Sequence, residues 1–235
     1  GGGRGFAHIG LIRALEQLQI PIDIVGGTSM GAFVAALVAC GFDSVEMAHI
    51  AHETFVARNY LNDYTVPRFS LIRGTRFHNR LMSVFGQRRI EELRRTSYCI
   101  STNLTTGNPM IHDRGTLSTW VGTSMSVPGV APPVAWHGDL LCDGGVVNNL
   151  PTDVMHNLER GIIIASNVSM NGDIGAPGAG VDEPDQMALH NWKSEKRAPS
   201  LSEILMRTAT LASDNTIQLS SISNADVYLR MPIQD

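Results

Sequence analysis

The stretch Gly26-Gly27-Thr28-Ser29-Met30-Gly31 constrains this chain more than any other part of it. An apolar run, Ile20 to Val25, leads in, and a long apolar stretch, Ala32 to Cys40, leads out. That pattern predicts a strand, a sharp turn and a helix, with Ser29 at the apex. A residue there is pushed into a strained backbone conformation, with its hydroxyl held clear of the chain. Gly27 and Gly31 flank it, where a side chain at either place is expected to block the approach of strand and helix. The free N–H groups and positive dipole end of the following helix face the serine, where negative charge develops in acyl transfer. The spacing is that of a G-x-S-x-G nucleophile elbow. The plainer reading is a glycine-rich turn whose serine caps the helix.

With 235 residues, the chain suffices for one substantial α/β domain. Its net charge of −4 and the absence of a basic cluster argue against a nucleic-acid partner. Arg88-Arg89 and Arg94-Arg95, around Glu91-Glu92, read as a solvated face. Cys40, Cys99 and Cys142 have no disulfide or zinc spacing and sit in apolar settings, so they read as small hydrophobes in a reducing compartment. His49 and His52 lack neighbours of metal-ligand character and read as helix-surface residues, so no metal site is expected.

Gly1-Gly2-Gly3-Arg4-Gly5 feeds a helix whose apolar side carries Ile9, Ile12 and Leu15. A glycine loop at a helix N-terminus offers backbone N–H groups to an anion. The dinucleotide and P-loop spacings are both absent, which favours an oxyanion over a phosphate. Further along, a helix is expected over Ser44–Ala57, with Ser44 as N-cap. An irregular flap is expected at Asn59–Thr75 near the site, and a β-hairpin turns at Thr106-Gly107. A central strand is expected at Gly161–Asn167, and a long amphipathic helix at Leu201–Leu219. Strands alternating with helices imply a largely parallel sheet covered on both faces.

A serine nucleophile needs a base. The strand Leu140-Leu141-Cys142 ends in Asp143-Gly144-Gly145, which resembles a site carboxylate on a tight loop, although turn aspartates are common. His156 and His190 follow Asp143, but neither is placed where a triad histidine is usually presented. A dyad needs no histidine. Its carboxylate has an ordinary pKa near ~3.9, so an apolar setting must raise its basicity and oxyanion donors must do much of the remaining work. Gly122-Thr123-Ser124-Met125-Ser126 looks like a second serine motif, but its upstream partners are missing.

The glycine loop, Gly27-Thr28-Ser29-Met30-Gly31 and Asp143-Gly144-Gly145 together resemble the patatin-like phospholipases, and most closely the neuropathy-target-esterase branch with its bacterial relatives. His8-Ile9-Gly10, Ser124–Pro133, Asn148–Pro151 and Tyr228–Pro232 extend the resemblance over nearly the whole chain. It implies Ser29 as nucleophile, Asp143 as proton acceptor and an oxyanion hole from Gly1, Gly2 and Gly3. Arg4, Gly5, Gly27, Gly31, Gly144 and Gly145 support the motifs. The implied substrate is a phospholipid or lysophospholipid ester, with no cofactor. Ser124 becomes scaffold. The implied fold is a three-layer α/β/α sandwich with a mainly parallel central sheet, here without its first strand. A single domain, 1–235, excised from a longer protein is expected, and relatives in this branch often carry membrane anchors upstream. It would lie in the cytoplasm or at the cytoplasmic membrane face, in transient contact with that surface. A binding module and an acyltransferase on the same fold are the competing readings.

Overall fold

The computed structural model describes residues 2–58, 60–158, 161–169 and 201–231. Strand β2, Thr96–Asn103, is the axis of the larger sheet. Strand β1, Ile24–Thr28, pairs with it in parallel, from Ile24↔Thr96 to Thr28↔Ile100. Strand β5, Asp139–Asp143, pairs with it antiparallel, from Ser101↔Asp143 to Asn103↔Leu141. Strand β3, Pro109–His112, pairs with Cys99–Thr102. Cys99 and Ile100 therefore carry β1 on one edge and β3 on the other, while Ser101 and Thr102 carry β5 opposite β3. It follows that β1 and β5 share one edge of β2, and their C-terminal ends meet at the Ile100–Ser101 step.

Strand β4, Val134–Trp136, completes this sheet by pairing antiparallel with β5. The turn between them has positive φ at His137 (50°) and Gly138 (87°), the geometry of a two-residue hairpin whose twist matches its strands. Strands β6, Ile164–Asn167, and β7, Val227–Arg230, form a separate parallel pair. The α/β class and the helix-flanked sheet are as expected, but the sheet is mixed. Three of the five described pairings are antiparallel, because hairpins make β2–β3 and β4–β5. The run 161–167 is likewise not central. Among the described residues its strand, Ile164–Asn167, pairs only with Val227–Arg230, and Ile162 in the apolar run before it is exposed.

Helix α2, Met30–Cys40, is apolar all round and buried along nearly its whole length. It packs on β1 and β2 beside α5, Leu117–Ser124. Outside it lie α1 (Ala7–Gln17), α3 (Ser44–His52) and α4 (Thr75–Phe85), joined through Phe33, Leu37, Met47, Leu81, Phe85 and Val121. On the other face, Val154 of α6, Thr152–Asn157, packs against Tyr98 and Ile100. The long helix α7, Leu201–Ser223, lies against α6, where Thr152 Oγ1 donates to the Ser221 carbonyl at 2.8 Å.

Several local expectations are corrected by specific contacts. Asp43, not Ser44, caps α3. Its carboxylate accepts from Val45 N and Glu46 N, and Glu46 returns a bond to Asp43 N, which makes a capping box. The helix then passes into a π turn at Glu53–Ala57. Arg95 is no solvated residue. Its guanidinium donates to the Ile22 and Val38 carbonyls at 3.0 and 2.7 Å, tying the entry of β1 to the end of α2.

A cavity of about 640 Å³ separates β1 from β6. All five residues of β1 and all four of β6 line it, so each strand turns its outer main-chain edge toward it. Among the described residues, neither of these edges pairs with a further strand.

Tyr98 shows how closely the faces fit. Its ring lies over Gly26, where an added Cβ would come within 2.2 Å of Cζ, and its hydroxyl donates to the Pro151 carbonyl at 2.8 Å. Gly10, exposed on α1, has open space at the same test. Gly26→Ala is therefore expected to cost about 1–3 kcal/mol by overpacking. Gly10→Ala is expected to gain about 0.5–1 kcal/mol as helical glycine is replaced. Urea unfolding of the two variants checks the opposite signs.

Candidate active site

Ser29 joins β1 to α2 at φ 56° and ψ −122°, a conformation non-glycine residues avoid. Three contacts hold it there. Its N–H donates to Ser124 Oγ at 2.9 Å. Its carbonyl accepts from Ala32 N and Phe33 N, the first turn of α2. Thr28 Oγ1, just before it, donates to the Asn148 carbonyl at 2.8 Å. Close approach at the elbow falls on Gly27, where a Cβ would stand 2.5 Å from the Gly31 carbonyl. Gly31 itself has room for a Cβ, so the expectation that both glycines are sterically required holds at Gly27 alone.

Asp143 is the last residue of β5 and arrives from the opposite direction along β2. The Ser29 hydroxyl donates to its Oδ2 at 2.6 Å. Its Oδ1 accepts from Gly145 N at 2.8 Å, and its own N–H donates to the Ser126 carbonyl at 2.9 Å. Gly144 is forced. A Cβ there would lie 2.3 Å from the Ile100 carbonyl oxygen and 2.9 Å from Thr28 Cγ2, at the point where the two strand ends meet. Asp143 is 1% exposed and Ser29 7%. Burial pushes the Asp143 carboxyl up to about 6, against the opposing pull of the hydrogen bonds from Ser29 and Gly145.

The glycine loop adjoins this pair. Residues Gly2–Phe6 form a 3₁₀ turn ahead of α1. A Cβ on Gly5 would strike the Met30 side chain, so the loop rests on the residue that follows Ser29. Gly1 lies outside the described residues. Arg4 is half-buried within the turn. His8, one turn on, bonds through Nδ1 to Ser166 Oγ of β6 at 2.7 Å, and burial holds its ring down at about 4, hence neutral. Both residues line the seam cavity, as does Ser29.

The remaining candidates separate cleanly. His156 is exposed on α6, and His190 lies outside the described residues. Cys99 and Cys142 are buried thiols pushed up to about 12 by desolvation, and all three cysteines are free. The flap does not line the cavity beside Ser29. It clasps the segment before β4 instead, with Leu71 N and Ile72 N donating to the Gly129 and Val130 carbonyls at 3.0 Å. Trp120 is stacked on His112 at 3.9 Å and Trp136 packs edge-on against Trp120, so neither faces that cavity. Sequence reasoning missed the Ser126 carbonyl, the Asn148 carbonyl and the His8–Ser166 tie. Ser124 and Asn148-Asn149 stood out as motif segments, but a main-chain acceptor leaves no trace in residue type.

Ser124 is fully buried and accepts the Ser29 N–H. Ser124→Ala leaves that donor without its acceptor. It is expected to lower stability by about 1–3 kcal/mol and to slow modification of Ser29 by a fluorophosphonate probe. Urea unfolding and labelling rates check the two effects.

The family model described as patatin-like phospholipase matches residues 1–156. A protein named lysophospholipase NTE1 from Pyricularia oryzae is 36% identical over 246 residues, covering 100% of this chain and 16% of its own length. Proteins of the same name from Meyerozyma guilliermondii and Aspergillus fumigatus are each 34% identical, covering 100% and 99% of this chain and 17% and 16% of theirs. The chain thus spans about one-sixth of the length of these relatives. Among solved structures, VipD from Legionella pneumophila aligns over 64% of this chain and 45% of its own, at 14% identity and a TM-score of 0.46. Among the described residues no helix is long and apolar enough to cross a membrane. On the family-model match and the identity to these relatives, this chain belongs to the patatin-like phospholipase family.

Proposed function

We propose that the chain is a serine hydrolase domain that cleaves carboxylic esters of phospholipids or lysophospholipids through a Ser29–Asp143 dyad. The observation that carries this reading is the 2.6 Å hydrogen bond from the strained Ser29 hydroxyl to a buried carboxylate. Family membership and the lysophospholipase names of its relatives support the substrate class. Residues 1–235 act as one such domain of a longer protein. It works in the cytoplasm or at the cytoplasmic face of a membrane, in transient contact with the lipid.

In this reading Asp143 takes the Ser29 proton as Oγ attacks the acyl carbonyl carbon. The negative charge that forms on the carbonyl oxygen is met by backbone N–H groups of the loop at Gly1, Gly2 and Gly3. The Ser29 N–H is committed to Ser124, which leaves more of this task to the loop. The tetrahedral intermediate collapses, the C–O bond to the glycerol side breaks, and that oxygen takes the proton from Asp143. Water then gives its proton to Asp143 and its oxygen to the acyl carbon. Fatty acid leaves and Ser29 regains its hydrogen. Burial makes a lone carboxylate basic enough for this role, which a solvated aspartate would fill poorly.

Ser29→Ala is expected to abolish both fluorophosphonate labelling and ester hydrolysis. Labelling that survives this change sinks the reading. Asp143→Asn keeps the shape but not the base, and is expected to lower kcat/KM by roughly 10²–10⁴-fold. Asp143 works as a base only when ionised. The rate should therefore fall as pH drops through about 6 and level off above it, with no such step in Asp143→Asn. A pH profile of nitrophenyl ester hydrolysis measures both. Turnover that rises when an added alcohol replaces water as acceptor would instead mark an acyltransferase.

A further inference from the structure

The segment between α3 and α4 gathers several widely exposed apolar side chains over a short length of chain. Val66 is 86% exposed, Tyr64 74%, Phe69 69% and Val56 58%. Scattered exposed hydrophobes are ordinary, but four this open within fourteen residues concentrate apolar surface on one segment, which calls for a partner. The same stretch, 54–76, carries Arg58, Arg68, Arg73 and Arg76, all exposed, in a chain whose net charge is −4.

Its acidic groups are turned to other uses. Asp63 is half-buried and accepts from Gly74 N and Arg76 N at 3.3 and 3.2 Å. Glu53, from the π turn, holds Arg58 at 3.5 Å. Arg80, from α4, lies over the Tyr60 ring. The Arg68 guanidinium sits 5.1 Å above Phe69, so charge and apolar ring are presented together. Aromatic and aliphatic tips among arginines suit a bilayer interface, where the tips enter the headgroup region and the cations meet anionic lipid.

The patch is anchored to the site at both ends. On one side, Phe55 of the π turn packs on Phe6, which ends the glycine loop, and edge-on against Phe33 of α2. On the other, Leu71 and Ile72 hydrogen-bond to Gly129 and Val130, in the segment whose Ser126 carbonyl receives the Asp143 N–H. A surface held on these elements stays in fixed register with Ser29 and Asp143.

We propose that Val56, Tyr64, Val66 and Phe69, with Arg68, Arg73 and Arg76, dock the domain onto an anionic phospholipid bilayer. The proposal rests on the lipid-ester reading above for its purpose, and on exposure and charge for its existence. The test is co-sedimentation of the 235-residue chain with phosphatidylcholine vesicles, with and without phosphatidylserine. It is run beside hydrolysis of a soluble short-chain nitrophenyl ester and of lysophospholipid carried in the same vesicles.

The wild-type chain is expected to bind the phosphatidylserine vesicles more tightly. Binding to them should fall roughly 10–100-fold in Arg68→Glu with Arg73→Glu. Val66→Ser with Phe69→Ser should weaken binding to both vesicle types. All variants should keep soluble-ester turnover and lose turnover of vesicle-borne lipid, which separates docking from misfolding and from chemistry. Arginine-dependent vesicle binding without any ester hydrolysis would keep the docking surface and remove the dyad reading. Equal binding by wild type and both variants overturns the proposal. So does failure of the wild type to bind either vesicle, or a patch that proves on sedimentation to be a contact between two copies of the chain.

Discussion

The hydrogen bond from Ser29 to Asp143 depends on how one strand is used. β2 gives the first half of one edge to β1, in parallel, and the second half of the same edge to β5, antiparallel. The two strands run toward each other and stop one register step apart, at Ile100 and Ser101. A serine just past the end of one and an aspartate at the end of the other then face each other at 2.6 Å. Much of the surrounding chemistry follows from that collision. There is no space beside Ile100 for any residue but glycine after Asp143, and Gly145 N is brought within reach of the carboxylate. The junction is buried, which raises the basicity of Asp143.

The strain at Ser29 is sustained by its surroundings. Positive φ at a serine costs of order 1–3 kcal/mol and persists only when neighbours fix it. Here α5 supplies Ser124 for the N–H, α2 supplies two donors for the carbonyl, and Asn148 holds the preceding Thr28. These partners come from three different parts of the chain. The elbow is thus a tertiary structure as much as a turn, and the buried Ser124 serves as its support. On the opposite flank, the outer edges of β1 and β6 face each other across the seam cavity, bridged on one side by the His8–Ser166 bond.

Much of this was legible in the sequence, for reasons that can be named. The elbow was readable because a strand-turn-helix with serine at its apex needs small residues at fixed spacing. The Asp143-Gly144-Gly145 turn was readable because a crowded strand end needs glycine. The sheet's mixed character was not, since alternation of elements reports which segments are extended and says nothing of direction. Gly31 was given a steric role that belongs to Gly27, because spacing marks both and only the packed backbone shows which approaches which. The flap's irregularity was evident, but its attachment to Gly129 and Val130 runs through main-chain atoms that residue identity does not encode.

By itself, the sequence determined the local geometry: the turn that lifts Ser29, the glycines that let chain segments approach, the buried helix behind them and the family these motifs denote. Tertiary structure alone decided that Ser29 and Asp143, 114 positions apart, share a hydrogen bond. It also decided that the carboxylate is buried, and that the irregular segment after the π turn is tied by main-chain bonds to Gly129 and Val130. The division has a physical cause. Backbone preferences act over a few residues and are written in residue type, whereas register, burial and the pKa that follows from burial arise only when distant strands pair.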